Sequence, residues 1–168
     1  MNLQEEQYVH FVSSTDNLNN AWQILQNIKQ ILQENKQGKG NPLVGAAFRF
    51  ALIEYSKPYK CSSGIIKKYK LNNEHVPIKH SKLHGRILDA RDEILAHSDL
   101  TVMEAKVYIT NTEHGRFVQM GQNVIYGTEE LPNIDAIIDL IEKTLDSMYI
   151  EVKRLEAALP PLILEIEK

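Results

Sequence analysis

Ile134, Ile138, Ile141, Leu145, Met148, Val152, Leu155 and Leu159 recur in alternating steps of four and three without a miss. Only a helix gathers positions at that spacing onto one edge, so the C-terminal quarter of the chain is a long helix with a heptad seam. Pro132-Asn133 opens it and Pro160-Pro161 ends it. A seam of this length is either the spine of a bundle or a dimer surface, and the bundle is the more common use.

The upstream chain supplies the other helices. Leu3 to Ser13 reads as a short helix, and the run Ser13-Ser14-Thr15-Asp16-Asn17 is dense in N-cap residues and marks a break. A second helix from about Thr15 to Asn35 carries Leu18, Trp22, Leu25, Ile28 and Leu32 on one stripe. Asn41-Pro42 opens a third, through Val44, Phe48, Leu52 and Tyr55. Residues 57–79 read as a basic loop with one helical turn at Ile65 to Tyr69. Another helix runs from about Ser81 to Ser98-Asp99. The period then changes to two: Lys106 to Thr110 and Arg116 to Met120 form a hairpin, about 105–126 in all, turning at Asn111 to Gly115. One hairpin alone is marginal in water, so it must lie on the helices or pair with another chain. Residues 160–168 form a short apolar tail. The expected fold is mainly α, a single domain over 1–168 with four to five helices and a small β-hairpin before the last long one.

Composition narrows the setting. With 43% hydrophobic residues the chain can bury a core. The single cysteine, Cys61, precludes an intrachain disulfide and fits a reducing compartment. There is no signal-peptide pattern and no apolar run near the ~18 residues of a membrane span, so a cytoplasmic protein without membrane contact is expected. The net charge of −3 hides an asymmetry. Between Lys57 and Arg91 stand nine Lys or Arg and two acids, a net +7, which leaves −10 for the rest. Such a segment is either a basic face for a polyanion or a solvated loop rich in lysine.

That segment ends on a misfit. On a wheel, Leu83, Ile87, Leu88, Ile94 and Leu95 form one apolar arc, and Arg91 and His84 lie within it. A guanidinium there needs a partner, an anion or a wet cleft. The structural alternative is an ion pair with an acid of another helix, such as Glu54 or Glu142. His97, six residues on, falls where the helix stops, and a histidine bonded to terminal carbonyls is common there.

The nonapeptide Arg91-Asp92-Glu93-Ile94-Leu95-Ala96-His97-Ser98-Asp99 resembles the signature of the HEPN superfamily (higher eukaryotes and prokaryotes nucleotide-binding). In that family an arginine is followed four to six residues later by a histidine. The likeness is greatest to its abortive-infection branch, and the helical layout from Leu18 to Leu159 is similar as well. The resemblance implies a helical domain that dimerises and joins two motifs into a metal-independent ribonuclease site. Carried over, Arg91 binds the scissile phosphate, His97 serves acid–base chemistry on a ribose 2′-hydroxyl, and Asp92 orients one of them. Active members often carry Asn where Asp92 stands. The chemistry is sound on its own terms, because histidine titrates near neutrality and guanidinium forks onto phosphate. Residues 91 and 97 lie 120° apart on a regular helix. Either the helix ends before His97, or each Arg91 works with the partner chain's His97.

The expected function is a metal-independent endoribonuclease of toxin or phage-defence type, a homodimer acting on RNA, with an antitoxin or other protein as a further partner. The alternatives are a catalytically silent HEPN-like module that binds RNA, nucleotide or protein, and a purely structural dimer. Substrate contacts are expected from His84, Lys82, Lys79, Lys67, Lys68 and Lys70, with Tyr59 and Tyr69 available to stack on bases. His80 and His84 have a spacing that suits a metal, but no third ligand is evident, and neither a metal nor another cofactor is expected.

Overall fold

The computed structural model describes residues 1–34, 41–92, 106–121 and 128–160. Four α-helices run through these residues: α1 (Leu3–Glu34), α2 (Pro42–Ser56), α3 (Ser81–Ala90) and α4 (Ile134–Ala157). None of the described helices is long and apolar enough to cross a membrane. Two small hairpins complete them, β1 (Ser62–Ser63) with β2 (Lys68–Tyr69), and β3 (Lys106–Thr112) with β4 (Gly115–Gly121), both antiparallel. All but the first residue of the tail expected over 160–168 lies outside the described residues, as do 122–127 and the part from residue 93, His97 included, of the helix expected over Ser81 to Ser98-Asp99.

The break expected at 13–17 does not occur: α1 is one helix. The reason is local. Ser14 Oγ donates to the His10 carbonyl (2.8 Å), Thr15 Oγ1 to that of Val12 (2.6 Å), and Asn17 Nδ2 to that of Ser13 (2.9 Å). Polar groups able to cap a new helix instead bond back onto the turn before them. The helix buries Thr15, Leu18, Ala21, Leu25 and Ile28 and packs on both α2 and α4. Trp22 lies beside this stripe and donates through Nε1 to Glu142 (2.8 Å). Asn41 caps α2 through its Oδ1, which accepts from the Leu43 amide at 2.9 Å, with Pro42 in the first turn as expected.

The seam of α4 faces inward. Ile134, Ile138, Ile141, Leu145, Met148 and Leu155 are buried, and so are Ile137, Leu140 and Thr144 beside them. The buried stripe is therefore wider than a coiled-coil edge, which is the signature of a bundle spine. Residues 57–79 are not the basic loop with one helical turn that the sequence suggests. Short 3-10 turns at Lys57–Tyr59, Asn73–His75 and Ile78–His80 flank the β1–β2 hairpin, and Ile65 to Tyr69 hold no helical turn. The segment is a strap rather than a free loop. Leu71 and Val76 enter the core, the Leu71 amide donates to the Pro58 carbonyl (2.8 Å), and His75 Nδ1 lies 3.0 Å from Ser147 Oγ on α4.

His84 is 4% exposed and packs into the core. Its Nδ1 is hydrogen-bonded to Tyr55 Oη at 2.7 Å, and Tyr59 lies edge-on to the ring at 4.5 Å. The Nε2 is buried with no partner among the described residues. Burial pushes its pKa down, so the folded chain holds the imidazole neutral. As pH falls through about 6.5 the unfolded chain takes up a proton that the folded chain refuses, and stability falls with it. Tyr55→Phe strips this ring of its one hydrogen-bond partner among the described residues. A cost of about 1–3 kcal/mol follows, roughly 3–10 °C in Tm for a chain of this size. A thermal melt that does not move would exclude a stabilising role for the pair.

Candidate anion cleft

The first half of α1, the strap and the end of α3 enclose a cleft of about 340 Å³, lined among others by His10, Ser14, Lys60, Tyr69, Lys70 and Arg91. At its α3 edge the chain passes into a wider π-type turn at Arg91-Asp92. Such turns displace side chains from the regular helical register. Arg91 is one-third exposed, and its Nη1 donates to Oδ1 of its own neighbour Asp92 at 3.0 Å. The other Asp92 oxygen takes the ammonium of Lys60. Lys60 above all holds the Asp92 carboxyl below its usual range; partial burial opposes it, and Arg91 adds to the lowering. One carboxylate thus serves two cations, which leaves net positive charge facing the cleft. The acids of other helices weighed as partners are otherwise engaged: Glu54 takes Lys57, and Glu142 takes Trp22.

The strap is locked against α1 by a buried acid. Glu6, 1% exposed, accepts from the Ile66 amide at 2.9 and 3.1 Å, and from Tyr69 Oη at 3.3 Å. Burial pushes the Glu6 pKa up, but the Ile66 and Ile65 amides and the Tyr69 hydroxyl outweigh it and leave the group below its usual 4.5. The clasp therefore contributes stability above that pH and loses it as acid protonates the carboxylate. Tyr69 in turn stacks on His10, centroids 4.1 Å apart at 19°, with Lys67 Nζ 5.0 Å from the centroid of the tyrosine ring.

Gly64 makes this clasp feasible. A Cβ there would run into Glu6 Oε1 and stand 2.6 Å from the Lys67 carbonyl oxygen. Gly64→Ala is expected to destabilise the fold by about 1–3 kcal/mol through overpacking. In a Glu6→Ala background the same change costs less, because one of the atoms it strikes is gone while the Lys67 carbonyl oxygen remains. A double-mutant cycle by urea unfolding measures the difference; equal costs in both backgrounds would remove Glu6 from the explanation.

The expected site residues divide into groups. Arg91 and Asp92 meet Lys60 at the cleft, and Lys70 lines it. Lys67 and Lys68 line an adjoining cleft with Lys70. Lys79 is turned away and pairs with Asp139 on α4 (2.6 Å), alongside His80 Nε2 (2.8 Å). Those two contacts hold Asp139 down at about 2, Lys79 contributing more. Lys82 is exposed and lines neither cleft. His84 and Tyr59 are in the core and line neither of these two clefts, and no group of three or more potential ligands able to hold a metal occurs among the described residues. His97 lies outside the described residues. Sequence reasoning missed His10 and Glu6. Their spacing of four was the available signal, since it puts an acid and an imidazole on one face of α1.

No protein-family model, curated protein or solved structure matches the chain.

Proposed function

We propose that this chain is a HEPN-like, metal-independent endoribonuclease of toxin or phage-defence type, active as a homodimer. The observation that carries the reading is the cationic cleft at Arg91, where Lys60 and Arg91 share a single carboxylate. A phosphodiester entering there replaces Asp92 as the acceptor of the guanidinium fork. The 2′-hydroxyl attacks the adjacent phosphorus as His97 removes its proton. The bond to the 5′-oxygen breaks, and that oxygen takes up a proton from water and leaves as a 5′-hydroxyl, with a 2′,3′-cyclic phosphate on the other fragment; His97 returns its proton to solvent. Arg91 bears the charge that develops on the non-bridging oxygens. The exposed apolar hairpin supports the homodimer, since it has no cover from the described helices.

A second reading, an RNA-binding module without catalysis, is favoured by one observation: Asp92 already occupies Arg91. Incubation of single-stranded RNA with the protein in EDTA separates the two. The nuclease yields fragments ending in 2′,3′-cyclic phosphate, and His97→Ala abolishes them. Binding without any fragment in the wild type would leave the module.

A further inference from the structure

The cleft at Arg91 does not end at the His10–Tyr69 stack. A second cleft of about 270 Å³ continues on its far side, between α1 and β2 with the 3-10 turn that follows. The two share His10, Ser14, Tyr69, Lys70 and Leu71, so they adjoin at the stacked rings and are treated together as a groove. Resting on the RNA reading above, we infer that this second cleft is a nucleotide subsite: a base of single-stranded RNA stacks on the His10–Tyr69 pair, and its phosphate lies on Lys67 and Lys70.

Three features select this ligand class. The rings are nearly parallel and already in contact, and Tyr69 is fixed by the Glu6 clasp, so the platform is organised before anything binds. An aromatic face beside lysines is the arrangement that takes a base together with its phosphate, whereas lysines alone take phosphate of any kind. The far wall has the opposite sign. Glu151, paired with Arg154 (2.7 Å), and Glu74, 3.7 Å from His75 Nε2, line that end. Carboxylates there repel phosphate and accept hydrogen bonds from a ribose hydroxyl or a base amino group. The groove is thereby polar along its length: phosphate toward Arg91 and the lysines, sugar or base edge toward Glu74 and Glu151. It also disfavours an acidic peptide, which brings carboxylates to both ends.

Fluorescence anisotropy with a labelled 2′-O-methyl tetranucleotide tests this. The probe has no free 2′-hydroxyl, so binding is read apart from cleavage. Expected is a loss of affinity of about 5- to 100-fold in His10→Ala and in Tyr69→Leu, the range of one lost base stack. His10→Phe and Tyr69→Phe restore binding because a ring face remains at each position, which separates loss of the stack from misfolding. Lys67→Ala weakens binding and lowers the salt slope by about one charge. Tripolyphosphate and polyglutamate compete weakly. Equal competition by tripolyphosphate, with His10→Ala and Tyr69→Leu binding as wild type, would overturn the subsite and leave a simple electrostatic groove. The two readings fail separately. Stack-dependent binding with natural RNA never cleaved keeps the subsite and removes the nuclease. Cleavage dependent on Arg91 but indifferent to His10 and Tyr69 does the reverse.

Discussion

Arg91→Ala is expected to slow RNA cleavage by about 100- to 1,000-fold, the usual cost of removing one preorganised donor from a developing oxyanion. The fold should barely notice. Arg91 is one-third exposed, and its carboxylate partner is its own sequence neighbour, a type of pair worth about 0–1 kcal/mol. Single-turnover cleavage in EDTA and a thermal melt on the same samples check both halves. Arg91→Lys keeps the charge but loses the planar fork, so it recovers only part of the rate. Asp92→Asn sharpens the assignment, because it frees Arg91 and Lys60 together and removes one negative charge from the cleft. RNA binding tightens about 3- to 10-fold at low salt, and the gain fades as salt screens the site. If Arg91→Ala cleaves at the wild-type rate, the cleft is not the site.

How far the sequence carried the structure depends on whether a residue's signal was periodic. The apolar stripes of α2 and α4 and the alternation of β3 and β4 repeat at fixed spacings, and their elements lie where expected. At 13–17 the same Ser, Thr and Asn that cap helices were satisfied by the carbonyls of an existing one. Residue type alone does not separate these outcomes, because it does not show where the preceding turn's acceptors point. The strap was harder still. It is set by single contacts over long separations, such as Glu6 with Ile66 and Leu71 with Pro58. Those leave no trace in local spacing. At the site, the misfit of Arg91 on an apolar arc was legible because a charge among aliphatic residues demands an explanation. The equal demand made by His84 had a different answer, a tyrosine 29 positions away in the core. For His10 the spacing of four from Glu6 marked a shared helix face but not its partner, because the strap that brings Tyr69 to it leaves no local pattern.

Lysines at Ile109 and Val118 together are expected to convert a dimer to a monomer and abolish cleavage while leaving the helical circular dichroism unchanged. The two residues are cross-strand partners in the β3–β4 hairpin. With Val107 they form one face, and Tyr108 and Phe117 lie on the other; all five are more than half exposed. A two-stranded hairpin with both faces wet is marginal, and neither strand carries a proline to discourage pairing. A second copy suits it. Antiparallel pairing of β3 with its own symmetry mate about Ile109 sets Lys106 opposite Thr112, so no like charges meet. Sedimentation velocity of the wild type and the double variant reads the assembly directly; a monomeric wild type, or a double variant that stays dimeric, would refute it. Complementation tests whether the two copies share a site. Arg91→Ala and His97→Ala are each inactive, but after mixing and subunit exchange half of the dimers contain both. Each such heterodimer holds one composite site with a native arginine from one copy and a native histidine from the other, so about a quarter of wild-type activity returns. A site built within one chain returns none.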